Sequence, residues 1–333
     1  MKSTAKLAVL LPMAFAMATG SAHAQTKEVT IAHQDMIVPF RVLQAAGAVE
    51  KASGYKINWK MFGGGGDVIK AMASGQVPIG EVGSSPITAA AAQGIDIQVI
   101  WVLDDINNAE QLVASNKSGI TSLAGLKGKK VATPFVSTAH YQLLFALNTA
   151  GVNPKEIQIL NLRPPEIAAA WERGDIDAAF IWDPVLTKIK GNGKVIASSK
   201  TIGAKGFPTF DGLIVNAKWA AQHEAFMVAL VKVLAKADET YRANKAKWTV
   251  DSAEVKAVAK WTKAEPKDVP ATMALYTFPT LAEQLGPNWL GGGAVKAMAN
   301  TATFLKEQGR IQEVKPDYKA FVTDVYVRKA MGK

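Results

Sequence analysis

Short apolar runs alternate with amphipathic stretches along most of this chain. Strands are predicted at 29–33, 56–62, 78–82 and 97–103, with helices between them at 40–53, 67–74 and 84–93. A second series follows, with strands at 111–115, 131–133, 157–161 and 178–182 and helices at 139–150 and 166–173. The last clear strand is 213–215. Beyond it the pattern is mostly helical, as at 223–242, 252–262 and 294–308. Strand and helix taking turns predicts an α/β fold with mainly parallel sheets and helical crossovers.

The two series carry a faint repeat. Ala71-Met-Ala-Ser-Gly75-Gln-Val-Pro-Ile79 is similar to Ala170-Trp-Glu-Arg-Gly174-Asp-Ile-Asp-Ala178. Each reads as a helix end, a glycine stop, a buried strand and then a helix opened by Pro86 or Pro184. Two lobes built from one βαβ unit produce this pattern. Ligands bind beyond the carboxyl ends of such strands. Gly83-Ser84-Ser85 and Trp182-Asp183 are therefore expected on opposite sides of a shared cleft.

The first residues change the picture. Lys2 and Lys6, an apolar run at 7–18 and Ala22-His23-Ala24 form a cleavable export signal over 1–24. The run is too short for a membrane span. The chain has no cysteine, which excludes disulfides, a thiolate metal site and a lipid-modified cysteine after the signal. A soluble, unanchored protein of a Gram-negative periplasm is expected. The net charge of +10 reads mainly as a solvated surface, and the chain has no basic-aromatic motif for nucleic acid.

Four helix starts carry anion-binding character: Gly63 to Asp67 (including Gly65), Ser84-Ser85-Pro86, Ser137-Thr138 and Pro164-Pro165-Glu166. A helix start exposes unpaired N–H groups and about half a positive charge. Each alone is an ordinary cap or turn. Two facing each other across a cleft become an anion cradle. The glycine run is no P-loop, because no Gly-Lys-Ser/Thr follows.

Glu110 and Asp211 stand just before strands, where the chain crosses between lobes. Their ordinary reading is surface carboxylates; their functional reading is partners for a positive group. Trp182, Phe207 and Tyr141 are candidates to line the pocket. His33 and His140 can be written as an acid-base pair, but no serine elbow or metal-ligand spacing accompanies them.

At these residues the chain resembles the periplasmic solute-binding components of ABC importers in the nitrate, sulfonate and taurine group. The resemblance rests on Gly83-Ser84-Ser85-Pro86, on Pro134 through Tyr141, on Asn161-Leu162-Arg163-Pro164-Pro165, on Ala169 through Asp177 and on Pro208-Thr209-Phe210-Asp211. It implies a periplasmic binding protein-like fold of type II, with two lobes that each hold a mixed, mainly parallel sheet flanked by helices. Lobe one would span 26–112 plus 213–333 and lobe two 113–212, with crossings near 110–115 and 210–216. Ala139, Arg163, Asp183 and Gly212 depart from the taurine-binding pattern, and Asp183 and Gly212 are expected beside the cleft.

The resemblance further implies capture of taurine or a related sulfonate by a monomer that docks on a permease with its ATPase. No cofactor or metal is expected. The sulfonate would sit on the Ser84-Ser85 and Thr138 starts, with donors from Gln34 and His140. The ammonium would pair with Asp211, helped by Glu110, while Trp182 packs the linker. The rivals are a binding protein for another alkanesulfonate or small anion, a periplasmic enzyme using His140 with Ser137, and a sensor subunit.

Overall fold

The computed structural model describes residues 27–333, so the expected export signal lies outside the described residues. Ten strands form two five-stranded sheets. The first contains β1 (Glu28–His33), β2 (Lys56–Met61), β3 (Ile79–Gly83) and β4 (Gln98–Asp105). The second contains β5 (Glu110–Ser115), β6 (Lys130–Thr133), β7 (Gln158–Asn161), β8 (Ala178–Trp182) and β9 (Gly193–Ser198). The chain then returns, and β10 (Phe210–Val215) enters the first sheet.

The sheet orders are β2-β1-β3-β10-β4 and β7-β6-β8-β5-β9. They are the same arrangement twice. β1, β2 and β3 run parallel, as do β6, β7 and β8. The strand that arrives from the other sheet runs antiparallel to both of its neighbours. A chain entering at the cleft can only run away from it, so β5 and β10 begin where the parallel strands end. Glu110 consequently pairs with Trp182, and Asp211 pairs with Gly83.

Expected boundaries at 112/113 and 212/213 fall inside β5 and β10. Cross-strand pairing places Glu110–Ser115 in the second sheet and Phe210–Val215 in the first. The chain therefore changes sheet before each of these strands begins.

Two expectations about elements are corrected. The helix predicted over 40–53 is two helices, Phe40–Ala45 and Ala48–Ser53, broken where Gly47 turns left-handed at φ 61. β9 was not anticipated. It is an edge strand, its Lys194 and Val195 are exposed, and it lacks the alternation that marks a half-buried strand.

β3 and β8 are buried along their whole length, and the repeat in the sequence maps onto these two equivalent central strands. Beside β3, Arg41 donates to both carboxylate oxygens of Glu81, at 2.8 and 2.5 Å, with both side chains out of water. Among the described residues no helix is long and apolar enough to cross a membrane.

Candidate functional site

A small cavity lies where the two sheets face each other. Gln34, Gly65, Gly83 and Asp211 line it from the first half, and Glu110, Ser137, Thr138 and Trp182 from the second. The centre of a water-sized sphere has about 20 Å³ to move in. Such a sphere reaches about 1.4 Å further in every direction, so the walls enclose a solute of a few heavy atoms.

Two helix starts meet at this cavity. Ser84–Ala92 begins directly after β3, and Thr138–Thr149 begins with Ser137 as its cap, whose Oγ accepts from the His140 N–H at 3.0 Å. The halves touch here at main-chain range. A Cβ on Gly83 would stand 2.8 Å from Thr138 Cγ2, so a glycine is what lets the two starts approach.

Carboxylates dominate the electrostatics. Glu110 accepts from Thr138 Oγ1 at 2.5 Å and from Ser199 Oγ at 3.2 Å. Burial pushes its pKa up to about 7, against the pull of those two bonds. Burial also raises Asp211 well above the usual carboxylate range, and the nearby charge of Glu110 raises it further. Behind Asp211 on the neighbouring strand is Asp104, fully buried, with neither oxygen hydrogen-bonded. Burial and then Asp211 push it up in turn. Tyr276, which lines the same cavity, has its phenol raised by burial and by these acids. Among the described residues, no lysine, arginine or histidine forms an ion pair with Asp104, Glu110 or Asp211. Nor is any group of three or more His, Asp or Glu arranged there to hold a metal ion.

Contacts across the cleft complete the closure. Trp182 Nε1 donates to Asp35 at 2.9 Å, and burial lifts that carboxyl to about 6. Asp183 accepts from Thr272 at 3.0 Å and from the Thr187 N–H at 2.8 Å. At the exposed rim Arg163 bridges to Asp67 at 3.0 Å.

Of the residues singled out from the sequence, Gln34, Gly65, Glu110, Thr138, Trp182 and Asp211 line this cavity. Gln34 spends an amide hydrogen on the Glu81 carbonyl at 2.9 Å. Ser84, Ser85 and His140 do not line it. Ser84 Oγ instead accepts the Phe210 N–H at 3.3 Å, while Ser85 and His140 line a neighbouring chamber. The reason is rotation. Each residue turns a helix by about 100°, so Gly83 and Pro86 share the cavity face while Ser85 points elsewhere.

Other expectations are also corrected. Gly212 is packed against Ile87, Val99 and Phe210 rather than beside the cleft. Tyr141 and Phe207 join an aromatic cluster with Phe145 and Phe304. His33 packs edge-on against Trp59 and Trp261, and His140 stacks on Phe135. Ser137 Oγ donates to the Pro134 carbonyl at 2.6 Å, so it is a cap and not a nucleophile held by the His140 ring. Sequence reasoning missed Asp35, Asp104 and Tyr276. Only Asp104 left a signal, an acidic pair ending the apolar run 99–103.

Residues 51–246 match the family described as NMT1/THI5 like. The chain belongs to that family. It is 38% identical, over 92% of its own length and 94% of the relative's, to the taurine-binding periplasmic protein of Escherichia coli (strain K12). It is 31% identical to a putative aliphatic sulfonates-binding protein of Bacillus subtilis (strain 168), over 69% of this chain and 71% of that one. Among solved structures it resembles the alkanesulfonate-binding protein SsuA from Xanthomonas axonopodis pv. citri bound to MOPS, with a TM-score of 0.75 and 23% identity over 90% of this chain and 99% of the other. That likeness shows the periplasmic binding protein fold.

Proposed function

We propose that this protein is a periplasmic solute-binding protein that captures taurine for import by an ABC transporter. One observation carries the choice of solute: Glu110 and Asp211 face a small buried cavity, and among the described residues no cation is ion-paired with either. Two helix starts, whose partial positive charge is opposite in sign to those carboxylates, reach the same cavity. A zwitterion with an anionic and a cationic end satisfies both. An alkanesulfonate satisfies only the helix starts.

In this reading the sulfonate takes the N–H groups of the helix starts after Gly83 and Ser137, and the ammonium takes Asp211 and Glu110. Trp182 closes over the linker while held by Asp35. The two sheets with their helices are the lobes, and they close as hinged bodies around the solute. The closed monomer, exported by its leader, then presents itself to a membrane permease and its ATPase. The relative that binds taurine by name, similar over nearly the whole chain, supports the same choice.

Calorimetry with taurine and with ethanesulfonate tests it. The wild-type protein should prefer taurine. Asp211→Ala should weaken taurine by about 3–5 kcal/mol, the effect of stranding one member of a buried charge pair, and leave ethanesulfonate almost unchanged. Unaltered taurine binding by Asp211→Ala would sink the assignment.

A further inference from the structure

A second chamber lies behind the first turns of the two helix starts. It is roomier than the cavity, giving the centre of a water-sized sphere about 310 Å³. Ser85 comes from the helix after β3, His140 and Leu144 from the helix after β6, and Leu305 and Arg310 from the end of helix Gly293–Glu307 and the turn after it. Both halves of the molecule therefore form its walls.

Buried side chains of this chamber lack hydrogen-bond partners. The His140 ring stacks on Phe135, with centroids 4.4 Å apart and planes 3° from parallel. The Val136 N–H points at His140 Nδ1 from 3.4 Å. That contact makes Nδ1 the acceptor, which leaves the hydrogen of a neutral imidazole on Nε2. The ring is neutral at pH 7, since burial and then Arg310 hold its pKa down to about 4. Nε2 has no partner, and neither does Ser85 Oγ, although His140 is only 5% exposed and Ser85 3%. Buried donors are normally paired. At the mouth, the Arg310 guanidinium stands over the Phe135 ring, 5.9 Å from its centroid. It makes no ion pair among the described residues.

We propose that this chamber is a second ligand site, for a small organic anion with an apolar body. The carboxylate or sulfonate head accepts from Ser85 Oγ and His140 Nε2, Arg310 supplies the positive charge, and Leu144 and Leu305 cover the body. Because the walls come from both halves, an occupant favours the closed arrangement. Occupancy of the chamber and of the cleft then strengthen each other by the same factor.

Benzenesulfonate is a suitable probe. It is titrated calorimetrically into the protein with and without saturating taurine, and into Arg310→Ala and His140→Phe, which keeps the stack on Phe135. The wild type should bind one equivalent in both conditions, more tightly with taurine present. Both variants should bind it about tenfold more weakly, the loss of one charge-assisted bond, with taurine affinity within about twofold of wild type. Three results would overturn the proposal: no benzenesulfonate binding, displacement of benzenesulfonate by taurine, or unaltered binding by a folded Arg310→Ala. The arm without taurine reads the chamber even if the cleft takes another solute.

Discussion

Two groups of buried charge lie close together in this protein, and they are built in opposite ways. Arg41 and Glu81 are matched, with two charge-assisted bonds between fully buried partners. Asp104, Glu110 and Asp211 are unmatched, with like charges gathered at one cavity and, among the described residues, no cation paired with them. A matched pair orders the scaffold: Arg41 also donates to the carbonyls of Met36 and Gln34 and so shapes the loop after β1. An unmatched cluster is tolerated because carboxyls can stay protonated until something positive arrives. The contrast separates residues that hold the fold from residues that wait for a ligand.

The comparison breaks most visibly at the matched pair. Arg41→Met should lower the unfolding free energy by about 3–5 kcal/mol in urea titration, because it strands the Glu81 charge. Replacing both partners by apolar residues should recover much of that loss. A single variant as stable as wild type would mean that the pair does not order the loop.

The unmatched cluster should show itself through pH. Glu110 titrates near 7 in the folded protein against 4.5 for the free side chain, so the folded form binds the extra proton. The Glu110 contribution to ligand-free stability should accordingly be greatest at acid pH and be lost as pH rises through the interval from 4.5 to 7, while His140, held down to about 4, contributes in the opposite direction. The full loss is about 3 kcal/mol by proton linkage. Asp35, raised to about 6, adds a smaller fall of the same sign. The stability difference between wild type and Glu110→Gln should isolate this fall from the contributions of Asp35, Asp104, Asp211 and His140. Thermal melts across this range, with and without taurine, check it, and a bound ammonium should reduce the fall.

The smallest effect belongs to the exposed clasp between Arg163 and Asp67. Arg163→Ala should change stability or taurine affinity by no more than about 0.2–1 kcal/mol, and less in high salt. A larger change would mean that the rim, rather than the cavity, holds the halves together.

Much of this was legible in the sequence. The parallel strands announce themselves as buried apolar runs bounded by glycine and proline, and the repeat around Gly75 and Gly174 maps onto β3 and β8. Glu110 and Asp211 could be placed because an acid at a strand start, at a crossing, has few places to go. Direction and rotation were less accessible. Nothing local tells β5 and β10 to run antiparallel, since that follows from where the chain returns. The sequence marks a helix start at Ser84 and at Thr138 but not its angle, which is why Ser85 and His140 were assigned to the wrong chamber. Tyr276 lies in an irregular segment far along the chain from the acids it faces, so no spacing rule could reach it.

The shared strand order also bears on how the molecule is assembled. The second sheet is one continuous stretch, β5 through β9, and can condense from near neighbours. The first sheet has a gap between β3 and β4 that only β10 fills. Its ends must be brought together across all of the second half, a closure whose entropy grows only slowly with length but which delays contact formation. The half that leaves the ribosome first is thus the half that is finished last.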